Sequence, residues 1–188
     1  MAFRIEKMTP ATWRGKGLAH YQAWQETYRG LMPDAYLSAQ SPEENIRRAA
    51  LLPDTTLVAL DGGRVVGFVC YAPQAREFVG RPGASEIMAL YLLREAQGQG
   101  RGRALMEAVL PLLPHREVAL FVLKGNEQAI GFYRHMGFAF TGRELRQETG
   151  FGELIELEML LKRPDGWDRQ PEKAAKGKAP GSERQSAR

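Results

Sequence analysis

Residues 97–102 read Gln-Gly-Gln-Gly-Arg-Gly, and these residue types at this spacing could bind an anion. A run rich in apolar residues over 86–93 precedes the segment and predicts a strand, and a helical pattern starts at Arg101. Glycines let a ligand approach the backbone closely, and the free N–H groups of a helix N-terminus favour negative charge. A strand, a glycine-rich loop and a helix N-terminus together predict a phosphate site.

The spacing of the glycines excludes two common nucleotide loops. A Walker A loop needs Gly-Lys followed by Ser or Thr, whereas Gly102 is followed by Arg103 and Ala104. A Gly-x-Gly-x-x-Gly fingerprint fails because Arg103 or Leu105 stands where the third glycine belongs. The remaining pattern is Gln-x-x-Gly-x-Gly, which a flexible turn could also produce. Other segments must therefore decide between a turn and a binding loop.

A second segment holds chemistry-bearing residues in a regular pattern. Residues 126–138 read Asn-Glu-Gln-Ala-Ile-Gly-Phe-Tyr-Arg-His-Met-Gly-Phe. Asn126 fits the N-cap of a helix over 126–136, and Gly137 fits its C-terminal cap. Tyr133 carries a hydroxyl group that could donate a proton, although the residue could instead pack the helix against a sheet.

The elements that would position these two segments follow from hydrophobic period and turn residues. Thr9 is the expected N-cap of a helix with Pro10 at its first position, and Ser41 with Glu44 forms a capping box. The sequence Asp-Gly-Gly at 61–63 predicts the turn of a β-hairpin. The predicted elements are strand 3–5, helices 10–28, 33–37 and 41–52, strands 55–60, 64–71 and 86–93, helix 101–110, strand 117–123, helix 126–136, and strands 138–145 and 153–161.

This order of elements predicts a mixed α/β fold in which helices cover both faces of a sheet. The length of 188 residues fits one domain, and 44% hydrophobic with 26% charged residues is typical of a globular protein. We expect a single domain over 1–163 and a basic, disordered tail over 164–188. The tail mixes acids with its lysines, so we do not expect a nucleic-acid partner despite a net charge of +4.

The cysteine count, the histidine spacing and the hydropathy restrict which cofactors and which cellular compartment we expect. The single cysteine, Cys70, excludes an internal disulfide and lies in an apolar run, so we expect a buried structural thiol in a reducing compartment. His20, His115 and His135 lack the spacing of metal ligands, so no metal is expected. The early charged residues argue against a signal peptide, and no apolar stretch approaches the roughly 20 residues of a membrane span. We therefore expect a cytoplasmic location and no membrane contact.

The glycine loop and the second segment, in this order, resemble two signatures of the GNAT N-acetyltransferase superfamily. Residues 97–102 match its Gln-x-x-Gly-x-Gly pyrophosphate loop, and residues 126–138 match its Asn-x-x-Ala-x-x-Phe-Tyr-x-x-x-Gly-Phe pattern. The order of elements over about 3–162 is similar to that fold as well. The resemblance implies a twisted central mixed sheet of about six to seven strands with about four to five helices on both faces. It also implies an acetyl-CoA-dependent N-acetyltransferase.

The resemblance further implies where acetyl-CoA, the cosubstrate, binds. The strand before the loop pairs its backbone with the pantetheine arm, the loop binds the pyrophosphate, and Asn126 hydrogen-bonds CoA, caps its helix, or does both. Arginines beside the loop meet phosphate groups or are only surface charge. The implied cofactor-binding residues are Leu90, Tyr91, Leu92, Gln97, Gly98, Gln99, Gly100, Arg101, Gly102, Arg103, Asn126 and Tyr133.

Transfer of an acetyl group from a thioester to an amine requires three groups: a base, a donor to the carbonyl oxygen and an acid. A primary amine with a pKa of about 10.4 is mostly protonated at neutral pH, so a base must take its proton. The resemblance assigns this role to Glu86, for which a solvated residue at a strand end is the alternative. It assigns a backbone N–H group near Leu90 to the oxygen that gains negative charge. Tyr133 would supply a proton to the departing sulfur.

The acceptor is the part that the sequence leaves open. The resemblance implies a pocket between about residues 24–37 and the loop 147–152, with Trp24, Tyr28 and Leu31 as candidate pocket residues. Aromatic residues on an amphipathic helix often belong to the core instead. A small primary amine is the favoured acceptor, and a protein N-terminus or lysine is the alternative. A CoA-binding sensor or interaction module without turnover is a third interpretation, and a homodimer is common in such families by analogy.

Overall fold

The structure is a computed structural model that describes residues 3–51 and 54–164, and their strands form one seven-stranded sheet. The strands are β1 (Arg4–Lys7), β2 (Thr56–Asp61), β3 (Arg64–Ala72), β4 (Ala84–Leu92), β5 (Glu117–Leu123), β6 (Ala139–Thr149) and β7 (Gly152–Lys162). The helices are α1 (Trp13–Tyr28), α2 (Asp34–Ser38), α3 (Pro42–Ala49), α4 (Arg101–Val109) and α5 (Glu127–His135).

The strands follow the order β1-β2-β3-β4-β5-β7-β6 across the sheet. All neighbouring strands are antiparallel except β4 and β5, which are parallel. A parallel pair needs a crossover connection, and here the chain passes from β4 through the glycine loop and α4 into β5. The predicted mixed α/β fold is confirmed, with seven strands and five helices within 3–51 and 54–164.

Local sequence explains most element boundaries. Gly62 and Gly63 have φ angles of 59° and 85°, which turn the chain between β2 and β3 as predicted. The Ser41 hydroxyl accepts a hydrogen bond from the Glu44 N–H at 3.2 Å, which confirms the cap of α3. The predicted end of that helix at Leu52 lies outside the described residues.

The predicted start of the first helix is wrong. The Thr9 carbonyl accepts hydrogen bonds from the N–H groups of Thr12 at 2.9 Å and Trp13 at 3.0 Å, so a turn precedes the helix. The Thr12 hydroxyl accepts a hydrogen bond from the Thr9 N–H at 2.9 Å and stabilises this turn. The helix therefore begins at Trp13, and Pro10 lies in the turn instead of the first helical position.

The sheet opens between its two parallel strands. Pairing of β4 with β5 runs only from Ala84 opposite Glu117 to Ile87 opposite Leu120. Beyond this point β4 stays paired with β3, and β5 stays paired with β7. A bulge at Met88 bends β4 at the place where the pairing stops. The diverging strands leave a cleft that is lined by backbone.

The hydrophobic core supports both strands on either side of this cleft. Leu105 and Met106 of α4 are fully buried in the same cluster as Leu120 of β5 and Ile87 of β4. Cys70 is 4% exposed in this core, which confirms a buried thiol. Close packing of these side chains restricts movement of both strands, so backbone groups along the cleft have fixed directions.

The remaining expectations about organisation concern the ends of the chain. The tail expected over 164–188 lies outside the described residues, apart from Pro164. Within residues 3–51 and 54–164, no helix is long and apolar enough to cross a membrane.

Candidate active site

A cavity of about 410 Å³ lies between the end of β4, the glycine loop and one face of α5. It brings together most of the residues that the two sequence motifs singled out: Leu90, Tyr91, Leu92, Gln97, Gly98, Gly100, Gly102, Arg103, Asn126 and Tyr133. Sequence reasoning missed five further lining residues, which are Thr27, Gln128, Ala129, Phe132 and His135. Gln128 and Ala129 lie within the second motif, so their position beside Asn126 was the available signal.

The glycine loop presents backbone donors to this cavity. Gly98 and Gly100 have φ angles of 71° and 74°, which glycine adopts without strain. The first turn of α4 has no side-chain cap and no acidic residue. Among the described residues, none accepts a hydrogen bond from the N–H groups of residues 98–103. A row of free N–H groups at a helix N-terminus is suited to a phosphate group.

Gly102 keeps the approach to these donors open. A Cβ atom at this position would lie 3.3 Å from the Phe132 ring and 3.4 Å from Leu92. Both neighbours are side chains that line the cavity. A larger residue would therefore crowd the cavity wall, which explains why the third glycine of the loop is needed although its φ angle is ordinary.

The edge of β4 presents further free backbone groups. The Leu93 N–H donates to the Val66 carbonyl at 2.9 Å, which makes this a hydrogen-bonded pair of the β3–β4 ladder. Bonded and non-bonded pairs alternate in an antiparallel ladder, so the backbone groups of Leu90 and Leu92 point away from β3. The Leu92 carbonyl accepts a hydrogen bond from Gln97 Nε2 at 3.0 Å. The N–H groups of Leu90 and Leu92 face the cleft, where no described residue accepts from them.

The two sequence motifs contact each other directly. Gln128 Nε2 donates a hydrogen bond to Gln97 Oε1 at 2.8 Å. Gln97 thus joins the loop, through Gln128, to α5 and, through its own amide, to β4. Asn126 Oδ1 accepts from the Ala129 N–H at 3.2 Å, which confirms the helix cap. This is the one hydrogen bond that the Asn126 side chain makes to the described residues, it leaves the amide nitrogen unbonded to them, and the residue lines the cavity.

Tyr133 lies on the cavity wall between Phe132 and Phe138. Its side chain is 8% exposed, and its hydroxyl makes no hydrogen bond to the described residues. Burial, with a smaller contribution from the hydroxyl of Tyr28, raises the pKa of Tyr133 above its usual value. The hydroxyl therefore keeps its proton through the neutral pH range and remains available as a donor.

The arginines beside the loop differ in their surroundings. The Arg101 side chain donates to Asp61 at 2.6 Å and lies over the Phe3 ring, so its guanidinium is directed away from the cavity. Arg103 lines the cavity, and it pairs at 2.7 Å with the exposed Glu107. Gln99 is exposed and donates its side-chain amide to the Glu95 carbonyl at 2.9 Å. Arg103 is the basic side chain of the loop that faces the site.

Glu86 occupies a second cavity, of about 310 Å³, which begins on β4 next to the first. Its carboxylate is 1% exposed, so the alternative of a solvated strand end is wrong. Arg76 donates to both of its oxygens, from Nη2 to Oε1 at 2.5 Å and from Nε to Oε2 at 3.0 Å. The Arg76 backbone N–H donates to Oε2 as well, at 3.2 Å. The assignment of Glu86 as the base stays a prediction.

Sequence reasoning missed two charged residues of this second cavity, Arg76 and Glu156. Glu156 is half-buried on β7 and accepts a hydrogen bond from Gln147 Nε2 at 3.1 Å. In sequence it belongs to a short alternating run over 155–158, which is typical of a strand with one solvent-facing side. The fully buried Glu158 two residues later, on the same face, shows that this face is covered.

Two candidate residues of the acceptor pocket, Trp24 and Tyr28, lie on α1 and pack against β4. Trp24 Nε1 donates to the Tyr91 hydroxyl at 2.9 Å, and the hydroxyl oxygens of Tyr28 and Tyr91 lie 2.8 Å apart. Leu31 is 40% exposed. None of Trp24, Tyr28 and Leu31 lines either cavity. The first two hold the Tyr91 side chain, which fixes the strand beside the cleft.

Another contact joins the two segments that were expected to form the acceptor pocket. The rings of Tyr36 on α2 and Phe151 in the β6–β7 turn lie 5.6 Å apart. Phe151 is 43% exposed although its ring makes this contact. Within residues 3–51 and 54–164, no group of His, Cys, Asp and Glu residues could hold a metal ion.

Comparisons with known proteins agree with this geometry. The model of the acetyltransferase (GNAT) family matches residues 19–138. The uncharacterised N-acetyltransferase YuaI of Bacillus subtilis is 30% identical over 158 residues, which cover 77% of this chain and 90% of YuaI. Peptidyl-lysine N-acetyltransferase YjaB of Escherichia coli is 40% identical over 62 residues, which cover 33% of this chain and 41% of YjaB.

A solved structure shares the fold. The crystal structure of PaiA N-acetyltransferase from Thermoplasma acidophilum in complex with coenzyme A has a TM-score of 0.66 and 20% sequence identity. The alignment covers 86% of this chain and 99% of that chain. The family model and the relative from Bacillus subtilis show that the chain belongs to the acetyltransferase (GNAT) family: it is an N-acetyltransferase, and its cosubstrate is acetyl-CoA.

Proposed function

We propose that the protein transfers the acetyl group of acetyl-CoA directly to the primary amine of a small molecule. One observation carries this proposal: a single cavity of about 410 Å³ unites the free N–H groups of the loop, the open edge of β4 and the Tyr133 hydroxyl. These are the three groups that an acetyl transfer from a thioester requires, namely an anchor, an oxygen-binding donor and an acid.

The cosubstrate would bind through backbone more than through side chains. The N–H groups of Gly98, Gln99, Gly100, Arg101, Gly102 and Arg103 would hold the pyrophosphate, together with the Arg103 guanidinium. The free amide nitrogen of Asn126 would donate to the pantetheine arm. The Leu92 N–H would pair with that arm as a neighbouring strand does, and Gln97 would keep the loop in register with β4.

The chemical step would use a different group for each change of charge. The Leu90 N–H would donate to the carbonyl oxygen as negative charge builds on it. Tyr133 would give its proton to the sulfur as the carbon–sulfur bond breaks, and the raised pKa suits a group that must be protonated before the step. Glu86 is the base that the resemblance implies, but both of its oxygens are already occupied by hydrogen bonds from Arg76.

A small acceptor is favoured over a protein. The second cavity, of about 310 Å³, suits a small molecule better than a protein segment. Peptidyl-lysine acetylation by the relative YjaB supports the protein alternative, although only 33% of this chain matches that relative. A binding module without turnover is the remaining alternative, and the unbonded Tyr133 hydroxyl argues against it. A cytoplasmic location and a homodimer stay predictions.

An assay of thiol release from acetyl-CoA tests the proposal. The protein should release CoA thiol only when an amine is present, and small amines should exceed a lysine-containing peptide and a peptide with a free N-terminus at equal concentration. Faster release with either peptide would favour the protein alternative. Binding of acetyl-CoA without amine-dependent release would favour the non-catalytic module.

A further inference from the structure

The second cavity lies beside the first along the same strand. Its floor is formed by Glu86 and Met88 of β4, and Leu90, two residues further, lines the first cavity. Two residues along a strand span about 7 Å. A group in the second cavity can therefore reach the cleft at the Leu90 N–H. The volume of about 310 Å³ suits a small molecule.

Five apolar side chains line one part of the second cavity, and charged and amide side chains line the rest. Phe78 and Phe121 are in ring contact with centroids 6.0 Å apart, and Met88 and Leu145 also line the cavity. The Arg76 guanidinium lies over the Phe78 ring at 4.6 Å. The apolar part would pack against an apolar or aromatic arm, and the charged part would receive the polar group that this arm carries.

The charges inside the cavity do not cancel. Arg76 is neutralised by its ion pair with Glu86 at 2.5 Å. Glu156 makes no ion pair with the described residues and accepts one hydrogen bond, from Gln147 at 3.1 Å. The carboxylate of Glu156 thus leaves one unbalanced negative charge beside apolar walls. A positively charged amine would compensate it, whereas a second carboxylate on the same molecule would be repelled.

We propose that Glu156 takes the proton of the acceptor amine, and that the acceptor is a primary amine on an apolar arm without a neighbouring carboxylate. This rests on the proposed function and names both the base and the substrate class of that site. It replaces Glu86 as the proton acceptor and leaves Glu86 to position Arg76.

The protons and bonds of the step balance with these residues. Glu156 takes one proton from the ammonium group, and the freed electron pair on nitrogen forms the new carbon–nitrogen bond. The carbon–sulfur bond breaks, and the sulfur takes the Tyr133 proton. The second proton from nitrogen returns through water to the Tyr133 oxygen. Glu156 finally gives its proton to solvent, so each turnover yields an amide, a thiol and one proton.

The electrostatics of the cavity agree with this role. Burial raises the pKa of Glu156, the Arg76 guanidinium opposes this, and the Glu86 carboxylate adds to it. Tyr28 on α1 is a further titratable group close enough to interact with Glu156. Charges on the flanking elements pair with each other instead, Lys124 with Glu144 at 3.2 Å and Arg146 with Glu153 at 3.0 Å. A carboxylate with a raised pKa is a stronger base.

The experiment compares Glu156→Gln with Glu153→Gln, an exposed carboxylate on the same strand. The wild type should acetylate phenethylamine with a kcat/KM at least about tenfold above that for phenylalanine, which adds a carboxylate to the same arm. Glu156→Gln should lower kcat for phenethylamine by about 10². Acetyl-CoA affinity, measured by calorimetry, should stay the same in both variants, which also shows that they fold.

The pH profile identifies the role of Glu156. In the wild type, kcat/KM should fall as pH drops through the pKa of Glu156 and reach a plateau above it. In Glu156→Gln, kcat/KM should instead rise about tenfold per pH unit through the neutral range, because only amine that is already deprotonated reacts. A variant that keeps the wild-type rate and plateau would overturn the assignment, and a preference for phenylalanine would overturn the substrate class.

The failure of this inference is distinguishable from that of the proposed function. If amines are acetylated but Glu156→Gln behaves as Glu153→Gln does, only the inference fails. If acetyl-CoA binds and no amine increases thiol release, the proposed function and the inference fail together.

Discussion

Arg76 binds the buried Glu86 through both oxygens of its carboxylate, with Nη2 to Oε1 at 2.5 Å and Nε to Oε2 at 3.0 Å. Glu86 is 1% exposed, whereas the Arg76 side chain keeps 45% of its surface exposed. The pair thus fixes a charged side chain from the β3–β4 connection in the second cavity. Substitution can distinguish the contribution of this ion pair to protein stability from its contribution to catalysis.

Replacement of Glu86 by Gln should cost stability more than chemistry. The change leaves the Arg76 guanidinium without its anion, so we expect the free energy of unfolding to fall by roughly 1–3 kcal/mol. Urea denaturation measures this loss. The plateau of kcat/KM against pH should persist, because Glu156 remains. Loss of that plateau in Glu86→Gln would restore Glu86 as the base.

Replacement of Tyr133 by Phe should remove the acid without disturbing the site. The hydroxyl makes no hydrogen bond to the described residues, so packing should persist. General acid catalysis contributes about 10²–10⁴, and kcat should fall within that range while the Kd of acetyl-CoA stays constant. Tyr21→Phe, which alters a tyrosine outside both cavities, is the matched control. Full activity in Tyr133→Phe would end the acid assignment.

Substitutions of the two loop arginines should affect different properties, acetyl-CoA affinity for Arg103 and protein stability for Arg101. Arg103 lines the cavity, so Arg103→Ala should weaken acetyl-CoA binding by about three- to tenfold, as expected for loss of one exposed charge-assisted contact. Arg101 binds Asp61 at 2.6 Å, so Arg101→Ala should leave affinity unchanged and lower the free energy of unfolding by about 1 kcal/mol. Calorimetry and urea denaturation on both variants check this. If Arg101→Ala instead weakened acetyl-CoA binding and Arg103→Ala did not, Arg101 would be the arginine that contacts the cosubstrate.

Glu158 should make stability depend on acid pH. Burial acts to raise the pKa of this fully buried carboxyl, but hydrogen bonds from Arg81 at 2.7 Å and Thr141 at 2.6 Å outweigh it and lower the pKa. A lowered folded-state pKa gives stability that is present above the unfolded-state pKa and lost as pH falls through the folded value. The wild type should therefore lose stability below about pH 4.3 more steeply than Glu158→Gln.

At neutral pH the same variant should be less stable by roughly 2–4 kcal/mol, because Arg81 and Arg143 lose their shared anion. Urea denaturation at neutral and acid pH measures both effects. Glu153→Gln, on the exposed part of β7, should show neither. Parallel pH curves for wild type and Glu158→Gln would contradict the lowered pKa.

The sequence predicted those parts of the site that depend on local geometry. The glycines of the loop, the cap at Asn126 and the strand before the loop each follow from residue types within a few positions. Their meeting in one cavity followed from the order of strand, loop and helix. Gln128 was within reach of the same argument, because it is the second residue of α5.

The parts that escaped prediction depend on contacts between distant segments. The opening of the sheet after Ile87 is set by how far β4 and β5 pair, and the residues near Met88 do not predict it. The partner of Glu86 is Arg76, in an irregular connection without hydrophobic period. Glu156 and Glu158 share one face of β7, and this face becomes covered only when the β3–β4 connection packs on it. Residues 24–28 were placed near the acceptor by resemblance, and their rings instead hold Tyr91.

The central claim is direct transfer of an acetyl group to a small amine, and single-turnover transfer of labelled acetyl from acetyl-CoA tests it most directly. With enzyme in excess and a panel of small primary amines, the label should appear in an amide, in step with thiol release. The protein should carry no label when the amine is left out. Label that accumulates on the protein before the amine is added, or that reaches no amine at all, would contradict the account.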